Sequence, residues 1–170
     1  MTSAVNLLKE LNETVRKIHG NLTGGLERLN VIYEPDCTAE KLESTICANR
    51  ERDMRMRLTS AGPHRDDLCV MANGIDIRKY GSQGQQRTAA LSLKLSEIYI
   101  SKEKNKRHTG YCFWNDVLSE LDSSRQNYLL DSISDIQTLI TCTGLDDFIS
   151  HQFQINKVFQ VVQGTVSQPV

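Results

Sequence analysis

The first 58 residues show the apolar spacing of amphipathic helices. Apolar residues recur every three or four positions over Val5–Leu22, which predicts a helix that ends at the glycine pair Gly24-Gly25. A short strand is predicted at Leu29–Tyr33, and a second helix, capped by Thr38, over Thr38–Met56. We interpret residues 1–58 as a charged, mostly helical appendage to the rest of the chain.

The pattern changes at residue 59. The turn-rich stretch TSAGPHRDDL leads into two short apolar strands around Asn73-Gly74, a residue pair that favours a type I′ hairpin turn. The run Gln85–Ile100 is apolar on almost every side, which predicts a buried, rigid helix. A strand at Tyr111–Trp114 and a helix at Ser123–Ile133 follow. Alternation of strands and helices indicates an α/β fold.

Two apolar stretches close the chain. IQTLITCT is typical of a buried strand, and HQFQINKVFQVV of a pair of short strands or one bent strand.

The amino-acid composition limits the classes of protein to which this chain can belong. The net charge of −1 gives no overall attraction to nucleic acid or anionic membranes, so any such contact needs a local patch. The five cysteines have no CxxC spacing, which disfavours a disulfide framework or a zinc site and fits a reducing, cytoplasmic location. No apolar run approaches the roughly 18 residues of a membrane span, and the N-terminus lacks the features of a signal peptide.

The first candidate for chemistry is the stretch YGSQGQQRTAAL, where a polar, glycine-spaced segment opens the long helix. A helix N-terminus carries unpaired N–H groups and a partial positive charge, so it attracts anions. Gly84 would let a phosphate approach the backbone, and Ser82 would supply a hydroxyl. An ordinary polar cap on a core helix is the alternative, and the residues alone leave it open.

The second candidate is YCFWNDVLSELD. An apolar strand that ends in acidic residues is the layout of a magnesium–nucleotide site at the carboxyl end of a sheet. The alternative is a strand followed by a helix cap, supplied by Asp122 or Ser123. The loop GPHRDD is either a catalytic or metal site or a hydrogen-bonded turn, and the basic run Lys102–His108 is most simply a solvated loop.

Taken together, the two candidate stretches resemble the RecF family, the ABC-type ATPases of bacterial recombinational DNA repair. Tyr80–Arg87 resembles that family's signature motif, Phe113–Asp116 its Walker B strand and Ser119–Asp122 its D-loop. The resemblance implies an α/β fold, the C-terminal half of an ABC-type (P-loop NTPase) ATPase head with part of a helical arm domain. The arm portion would be residues 1–58, and the head portion residues 59–170.

The resemblance also implies roles for single residues. In the family, two heads sandwich ATP, and the signature helix of one head faces the γ-phosphate held by the other. Four residues would then contact the γ-phosphate in trans: Ser82, Gln83, Gly84 and Gln85. Asp116 would orient the attacking water, Asp122 would couple the two sites, and Asn115 stands at the Mg²⁺ position. The implied cofactors are ATP and Mg²⁺, used only with a partner that carries a Walker A loop.

The partners implied are DNA at single-/double-strand junctions and the proteins RecR, RecO and RecA. A second copy of the chain, or a complementary N-terminal half, would complete the nucleotide site. The implied process is recombinational repair, including replication gaps and the SOS response.

Two departures from the family pattern bear on activity. These 170 residues contain no GxxxxGK[ST] phosphate loop. Asn115 replaces the aspartate that holds magnesium in the family, and a neutral amide is a weaker ligand for this hard cation. We therefore expect no ATP hydrolysis by the chain alone. A non-enzymatic interaction module, or a decayed and truncated RecF copy without activity, is the alternative.

Overall fold

The computed structural model describes residues 2–104, 111–143 and 155–168, with side chains omitted for residues 2–5 and 120. The chain divides into two compact units, Met1–Lys106 and Arg107–Val170. Within the described residues, none of the helices is both long and apolar enough to span a membrane.

The first unit combines three long helices, one short helix and a small antiparallel sheet. Its elements are α1 (Thr2–Leu22), β1 (Leu29–Glu34), α2 (Ala39–Met56), β2 (Asp67–Ala72), β3 (Ile75–Asp76), α3 (Ile77–Tyr80) and α4 (Gln83–Lys104), with a 3₁₀ turn at Pro63–Arg65. The predicted helix and strand positions in this unit are confirmed, although α1 begins before Val5 and α4 extends beyond both predicted ends.

The sheet has the order β1-β2-β3, and Leu29 lies opposite Ala72 in its register. Asn73 and Gly74 connect β2 to β3 with φ values of 49° and 83°, the pair of left-handed residues that a type I′ turn requires, as predicted. The inner face of the sheet packs against helices α1, α3 and α4 in one buried cluster: Val15, Leu29, Val31, Ala72, Ile77 and Ala89.

Helix α4 packs along α1, but only one side of it is buried. Ala90, Lys94, Glu97 and Tyr99 are exposed, so the prediction of a helix that is buried all round is wrong. The buried stripe includes hydroxyl residues as well as apolar ones: Thr88, Ala89, Leu91, Ser92, Leu95, Ser96 and Ile100.

Residues 1–58 do not form a separate body. β1 pairs with β2 across the expected boundary, and the compact units divide between Lys106 and Arg107 instead. Removing residues 1–58 would therefore remove α1 and β1 from the core.

Helix α2 alone has the character expected of an appendage, because none of its residues is buried. Thr38 is its N-cap, yet the Thr38 side chain makes no capping hydrogen bond.

The second unit contains a β–α–β arrangement. Its elements are β4 (Tyr111–Asn115), a 3₁₀ turn (Leu118–Glu120), α5 (Ser123–Ser132), β5 (Gln137–Thr141), and the hairpin β6 (Gln160–Val162) and β7 (Thr165–Ser167). β4 and β5 are parallel, with Phe113 opposite Leu139. Among residues 155–168, a strand pair lies at residues 160–167, is joined by a Gln163-Gly164 turn and overlaps the predicted stretch 151–162 at β6. Residues 105–110, 144–150 and 151–154, which include parts of the predicted loop and closing strands, lie outside the described residues.

One face of the parallel pair is open. Tyr111, Phe113 and Leu139 share this face and are 84%, 64% and 62% exposed. The prediction that β5 is buried is therefore wrong for this structure. Parallel strands are normally covered on both faces. This face of β4 and β5 has the apolar composition of a buried surface, although its side chains are exposed.

The loop before β2 is a hydrogen-bonded turn. Gly62 has a φ of 135°, and Asp66 accepts hydrogen bonds from the Tyr33 hydroxyl and the Asp36 amide. Next to it, Arg78 of α3 donates to both carboxylate oxygens of Asp67, at 2.5 and 3.2 Å, and to the Leu68 carbonyl at 2.7 Å. This bidentate pair ties α3, which leads into α4, to the start of β2.

The Asp67–Arg78 pair predicts a defined acid sensitivity. Hydrogen bonds from Arg78, and then from the Leu68 amide, lower the pKa of Asp67 to about 2, compared with about 3.9 for an unfolded aspartate. Because the folded pKa is depressed, the stabilisation is present above about pH 4 and is lost as the pH falls to about 2. Urea unfolding should therefore show Asp67→Asn less stable than the parent at pH 7, with a difference that shrinks through this window. A difference that stays constant from pH 7 to pH 2 would contradict the assignment.

Candidate functional site

The approach to α4 is fixed by a glycine that the fold requires. A Cβ on Gly81 would lie 2.5 Å from the Ile77 carbonyl oxygen, so no side chain fits there. The Gly81 amide donates to that same carbonyl at 3.0 Å, which closes α3 directly before the site. The polar segment Ser82–Gln85 therefore begins from a fixed backbone position.

Ser82 and Gln85 cap the start of α4 reciprocally. The Gln85 amide donates to Ser82 Oγ at 3.2 Å, and the Ser82 amide donates to Gln85 Oε1 at 2.9 Å. This is a capping box, in which two backbone donors at the helix start are satisfied by side chains. The first-turn amides of Gln83 and Gly84 belong to the group of N–H donors that has no acceptor within a helix. Ser82, Gln83 and Gly84 are exposed, and Gln85 is partly buried.

Gly84 differs from Gly81 in that the chain gives no steric reason for it. The only atom near a Cβ built on Gly84 is Ser82 Oγ, at 4.0 Å, and the backbone there is helical. Glycine within a helix is about 0.5–1 kcal/mol less favourable than alanine. A bare backbone is thus presented at the helix start without any need arising from this chain's own packing.

A buried histidine lies beneath this helix start. His19 of α1 is fully buried; its Nδ1 lies 2.9 Å from Ser92 Oγ, and its Nε2 lies 3.0 Å from Glu27 Oε2. The other Glu27 oxygen, Oε1, accepts from Gln85 Nε2 at 2.8 Å. Gln85 therefore connects the capping box to α1 and to the loop that precedes β1.

Hydroxyl groups continue the buried face of α4 toward its C-terminus. Thr88, Ser92 and Ser96 each donate to the carbonyl four residues earlier, at 2.7, 2.7 and 2.6 Å. Because the hydroxyls are satisfied within the helix, these small residues can be buried against α1 without unpaired polar groups.

In the second unit, three polar residues meet at the carboxyl ends of β4 and β5. Asn115 Oδ1 accepts a hydrogen bond from Thr141 Oγ1 at 2.7 Å. The Asp116 amide donates to the Thr141 carbonyl at 3.0 Å and lies 3.2 Å from Thr141 Oγ1, while Asp116 has a φ of 50°. A non-glycine residue with positive φ is uncommon and often marks a functional turn.

This edge does not form a magnesium site by itself. The Asn115 oxygen is already bonded to Thr141, which leaves the exposed Asp116 carboxylate as the charged ligand at this strand end. Across residues 2–104, 111–143 and 155–168, no three acidic, histidine or cysteine side chains form a group that could hold a metal ion. The donors present therefore do not fit a resident Mg²⁺ ion, which prefers carboxylate oxygens.

Asp122 has a structural role in this chain. Its carboxylate accepts from the Arg125 amide at 3.1 Å as the N-cap of α5, and it lies 3.2 Å from Arg125 Nη1. This is the capping alternative that the sequence left open. The predicted coupling role of Asp122 between two nucleotide sites stays a prediction.

The signature residues and the β4 edge lie in different compact units. The structure thus brings Ser82 and Gln85 together in one cluster, and Asn115 and Asp116 in another. Sequence reasoning missed His19, Glu27 and Thr141. A polar residue on the apolar face of α1 and a threonine at the end of the neighbouring parallel strand were the available signals.

Solved structures identify the class of protein. The chain matches a structure described as the recombination mediator protein RecF with ATP in the RecFOR pathway with a TM-score of 0.73, at 29% identity over 99% of this chain and 46% of that one. The head of an SMC protein bound to the C-winged helix domain of ScpA matches with a TM-score of 0.58 at 14% identity, over 95% of this chain and 42% of that one, a likeness of fold alone. The fold is that of part of an ABC-type ATPase head.

Sequence relatives identify the family. The chain is 55% identical over 159 residues to the DNA replication and repair protein RecF of Agathobacter rectalis, and 50% identical over 161 residues to that of Lachnospira eligens. These matches cover 94% and 95% of this chain but 44% of each relative. No protein-family model matches the chain. The chain belongs to the RecF family and spans about half the length of the curated relatives it matches.

The Asp122 cap predicts a specific pattern of substitutions. Asp122→Ala removes the side-chain acceptor for the Arg125 amide and should lower the free energy of unfolding by about 1 kcal/mol. Asp122→Asn should retain most of the stability, because asparagine is an equally good N-cap. Urea unfolding followed by circular dichroism measures both variants. Equal losses for alanine and asparagine would indicate that the Asp122 charge, rather than the cap, stabilises this segment.

Proposed function

We propose that this chain is part of a RecF-type ATPase head that functions in DNA replication and repair. In this proposal the start of α4 recognises the γ-phosphate of ATP held by a second head. ATP then controls association of the heads, and the chain presents one half of a shared nucleotide site.

The observation that carries the proposal is the contrast between two glycines three residues apart in the same loop-helix segment. Gly81 is required by its contact with Ile77, whereas Gly84 has open space on its outer side and a backbone that any residue adopts. A residue that weakens a helix without an internal steric reason is best explained by an external group that approaches the backbone closely.

The geometry around Gly84 suits a phosphate. The capping box uses the amides of Ser82 and Gln85, while the exposed residues Gln83 and Gly84 lie in the first turn, at the positive end of the helix dipole, where amides have no acceptor within the helix. Ser82 Oγ accepts from Gln85, so its hydrogen is available as a further donor. Gln85 itself is bonded to Glu27, which makes it a support for the phosphate site in this structure rather than a contact.

The second head supplies the rest of the nucleotide site. The solved RecF structures that the chain resembles are described with ATP and ATPrS, and these 170 residues contain no GxxxxGK[ST] loop to hold phosphates in cis. We assign Asp116 the orientation of the attacking water, at a strand end where ligands of α/β sheets commonly bind. The open face of Tyr111, Phe113 and Leu139 would be covered by the part of a RecF head that this chain does not span.

The wider role follows from the family resemblance. Closure of the ATP-bound heads would favour binding to DNA at single-/double-strand junctions, and RecR, RecO and RecA would be the protein partners at replication gaps. The net charge of −1 supports only a local contact of this chain with DNA.

Replacing Gly84 tests the proposal, because stability and function should change in opposite directions. The full chain is mixed with the N-terminal part of the Agathobacter rectalis RecF protein that it does not span, and association is followed by sedimentation velocity. We expect association to be stronger with ATPγS than with ADP. Gly84→Ala should stabilise the chain by about 0.5–1 kcal/mol and weaken the ATPγS-dependent association by about tenfold or more, since a methyl group then blocks the approach of the phosphate.

Gly20→Ala is the matched control. Gly20 is also a helical glycine with no atom within 4 Å of a built Cβ, but it lies in α1. It should gain similar stability and leave the association unchanged. Equal association of the parent and Gly84→Ala chains, or no difference between ATPγS and ADP for the parent, would refute the proposed function.

A further inference from the structure

We propose that His19 and Glu27 are positioning residues for the phosphate-facing turn of α4 and act through the side chain of Gln85. This inference rests on the proposed function for its consequence in nucleotide recognition. Its structural part, the control of the Ser82–Gln85 turn by Glu27, can be tested without any nucleotide.

Glu27 bridges two donors with its two oxygens. Oε2 lies 3.0 Å from His19 Nε2, and Oε1 accepts from Gln85 Nε2 at 2.8 Å. His19 is fully buried and the Glu27 side chain is 19% exposed, so both bonds are partly shielded from water. Hydrogen bonds to charged groups are stronger than neutral ones, particularly where the local dielectric is low.

The bridge fixes which way the Gln85 amide points. Gln85 Nε2 donates to Glu27, and Gln85 Oε1 accepts from the Ser82 amide at 2.9 Å. Rotating the amide by 180° would place an oxygen against the carboxylate and an NH₂ group against a backbone N–H. Glu27 therefore selects the only orientation of Gln85 in which the capping box with Ser82 is complete.

The hydrogen bonds of Ser92 and His19 extend this network from Gln85 and Glu27 to α1. The Ser92 hydroxyl donates to the Thr88 carbonyl at 2.7 Å, so its oxygen accepts from His19 Nδ1. One ring nitrogen of His19 thus lies within hydrogen-bond distance of Ser92, and the other within hydrogen-bond distance of Glu27. α1, the Glu27 loop and the first three turns of α4 are joined by one continuous set of hydrogen bonds.

Glu27 reaches this position from a constrained loop. Gly24 and Gly25, with φ values of 60° and 81°, turn the chain after α1, and the Gly25 amide donates to the Gly20 carbonyl at 2.7 Å. Leu26, next to Glu27, is exposed, so the loop is not held by burial of its own apolar residue. Hydrogen bonds between Asn73 and the backbone of Leu26 and Arg28 hold the loop, and its turn places the carboxylate next to His19 and Gln85.

The Glu27 bridge affects phosphate binding because it keeps the first turn of α4 ordered. A completed capping box holds Ser82 Oγ and the Gln83 and Gly84 backbone in one arrangement. When the bridge is lost, Gln85 can rotate and the turn must be ordered again at each binding event, which costs conformational entropy.

Three substitutions in the full chain separate positioning from packing. Glu27→Ala removes both acceptors. Glu27→Gln can restore every bond: its oxygen accepts from Gln85, and its NH₂ group donates to His19 Nε2 when the ring carries its proton on Nδ1. Glu97→Ala is the control, since Glu97 is an exposed carboxylate on α4 that pairs with Lys94.

The first readout needs no nucleotide. In ¹⁵N-resolved NMR spectra we expect Glu27→Ala to shift the Gln85 side-chain amide and to speed hydrogen exchange at the Ser82 and Gln85 amides about tenfold. Glu27→Gln and Glu97→Ala should retain slow exchange. Unchanged Gln85 signals in Glu27→Ala would overturn the inference, whatever the nucleotide assay shows.

The second readout is the ATPγS-dependent association with the Agathobacter rectalis RecF part. We expect about tenfold weaker association for Glu27→Ala, with recovery to within about twofold for Glu27→Gln. Loss in Glu27→Ala without recovery in Glu27→Gln would also overturn the inference. A parent chain that shows no ATPγS-dependent association would refute the proposed function, while the NMR result would still decide whether Glu27 positions the turn.

Discussion

The packing of α4 against α1 is the contact on which the candidate site depends. Small residues on α4 allow the two helices to lie close, and His19 is buried between them against Ser92. Because the same histidine reaches Glu27, the packing that builds the core also determines where α4 begins. Any change that separates the two helices would therefore alter the exposed turn at Ser82, although this turn lies at the surface.

The candidate site at the start of α4 combines a rigidly held support with an exposed backbone at Gly84. Gly81 is held by steric contact and Gln85 by hydrogen bonds, whereas a Cβ built on Gly84 would approach no atom more closely than Ser82 Oγ, at 4.0 Å. Preorganised donors lose little entropy when an anion binds, which is why a fixed helix start is an effective phosphate site. The second unit follows a related principle at a strand end, where the Thr141 hydroxyl and backbone hold Asn115 and Asp116 in place.

Much of the fold could be predicted because local patterns and tertiary structure agree. The apolar spacing of α1 and the Asn73-Gly74 turn each specify one conformation with little help from the rest of the chain. The burial of α4 and β5 could not be predicted, since apolar content does not show which side is covered. Helical content suggested an appendage up to residue 58, whereas the compact units divide after Lys106, because β1 pairs with β2 through residues 33–43 positions apart in the chain.

The candidate site was only partly visible in the sequence. Ser82 and Gly84 stand in a motif, so their neighbourhood was found. Gln85 bonds to Glu27 in this structure, and its expected contact with phosphate stays a prediction. His19 and Glu27 lie more than 55 residues away from Gln85 in sequence, and only the folded α1–α4 pair brings them together. Asp122 illustrates the reverse case, because the capping rule of isolated helices was sufficient to explain its contacts.

The most direct test of the account is to observe the backbone amides of Gln83 and Gly84 while a nucleotide is presented in trans. The ¹⁵N-labelled chain is titrated with the Agathobacter rectalis RecF part, first with ADP and then with ATPγS. The account predicts large downfield shifts of these two amides with ATPγS and small changes with ADP, because only the former carries a γ-phosphate. Shifts that are the same for both nucleotides, or that leave Gln83 and Gly84 unaffected, would contradict it.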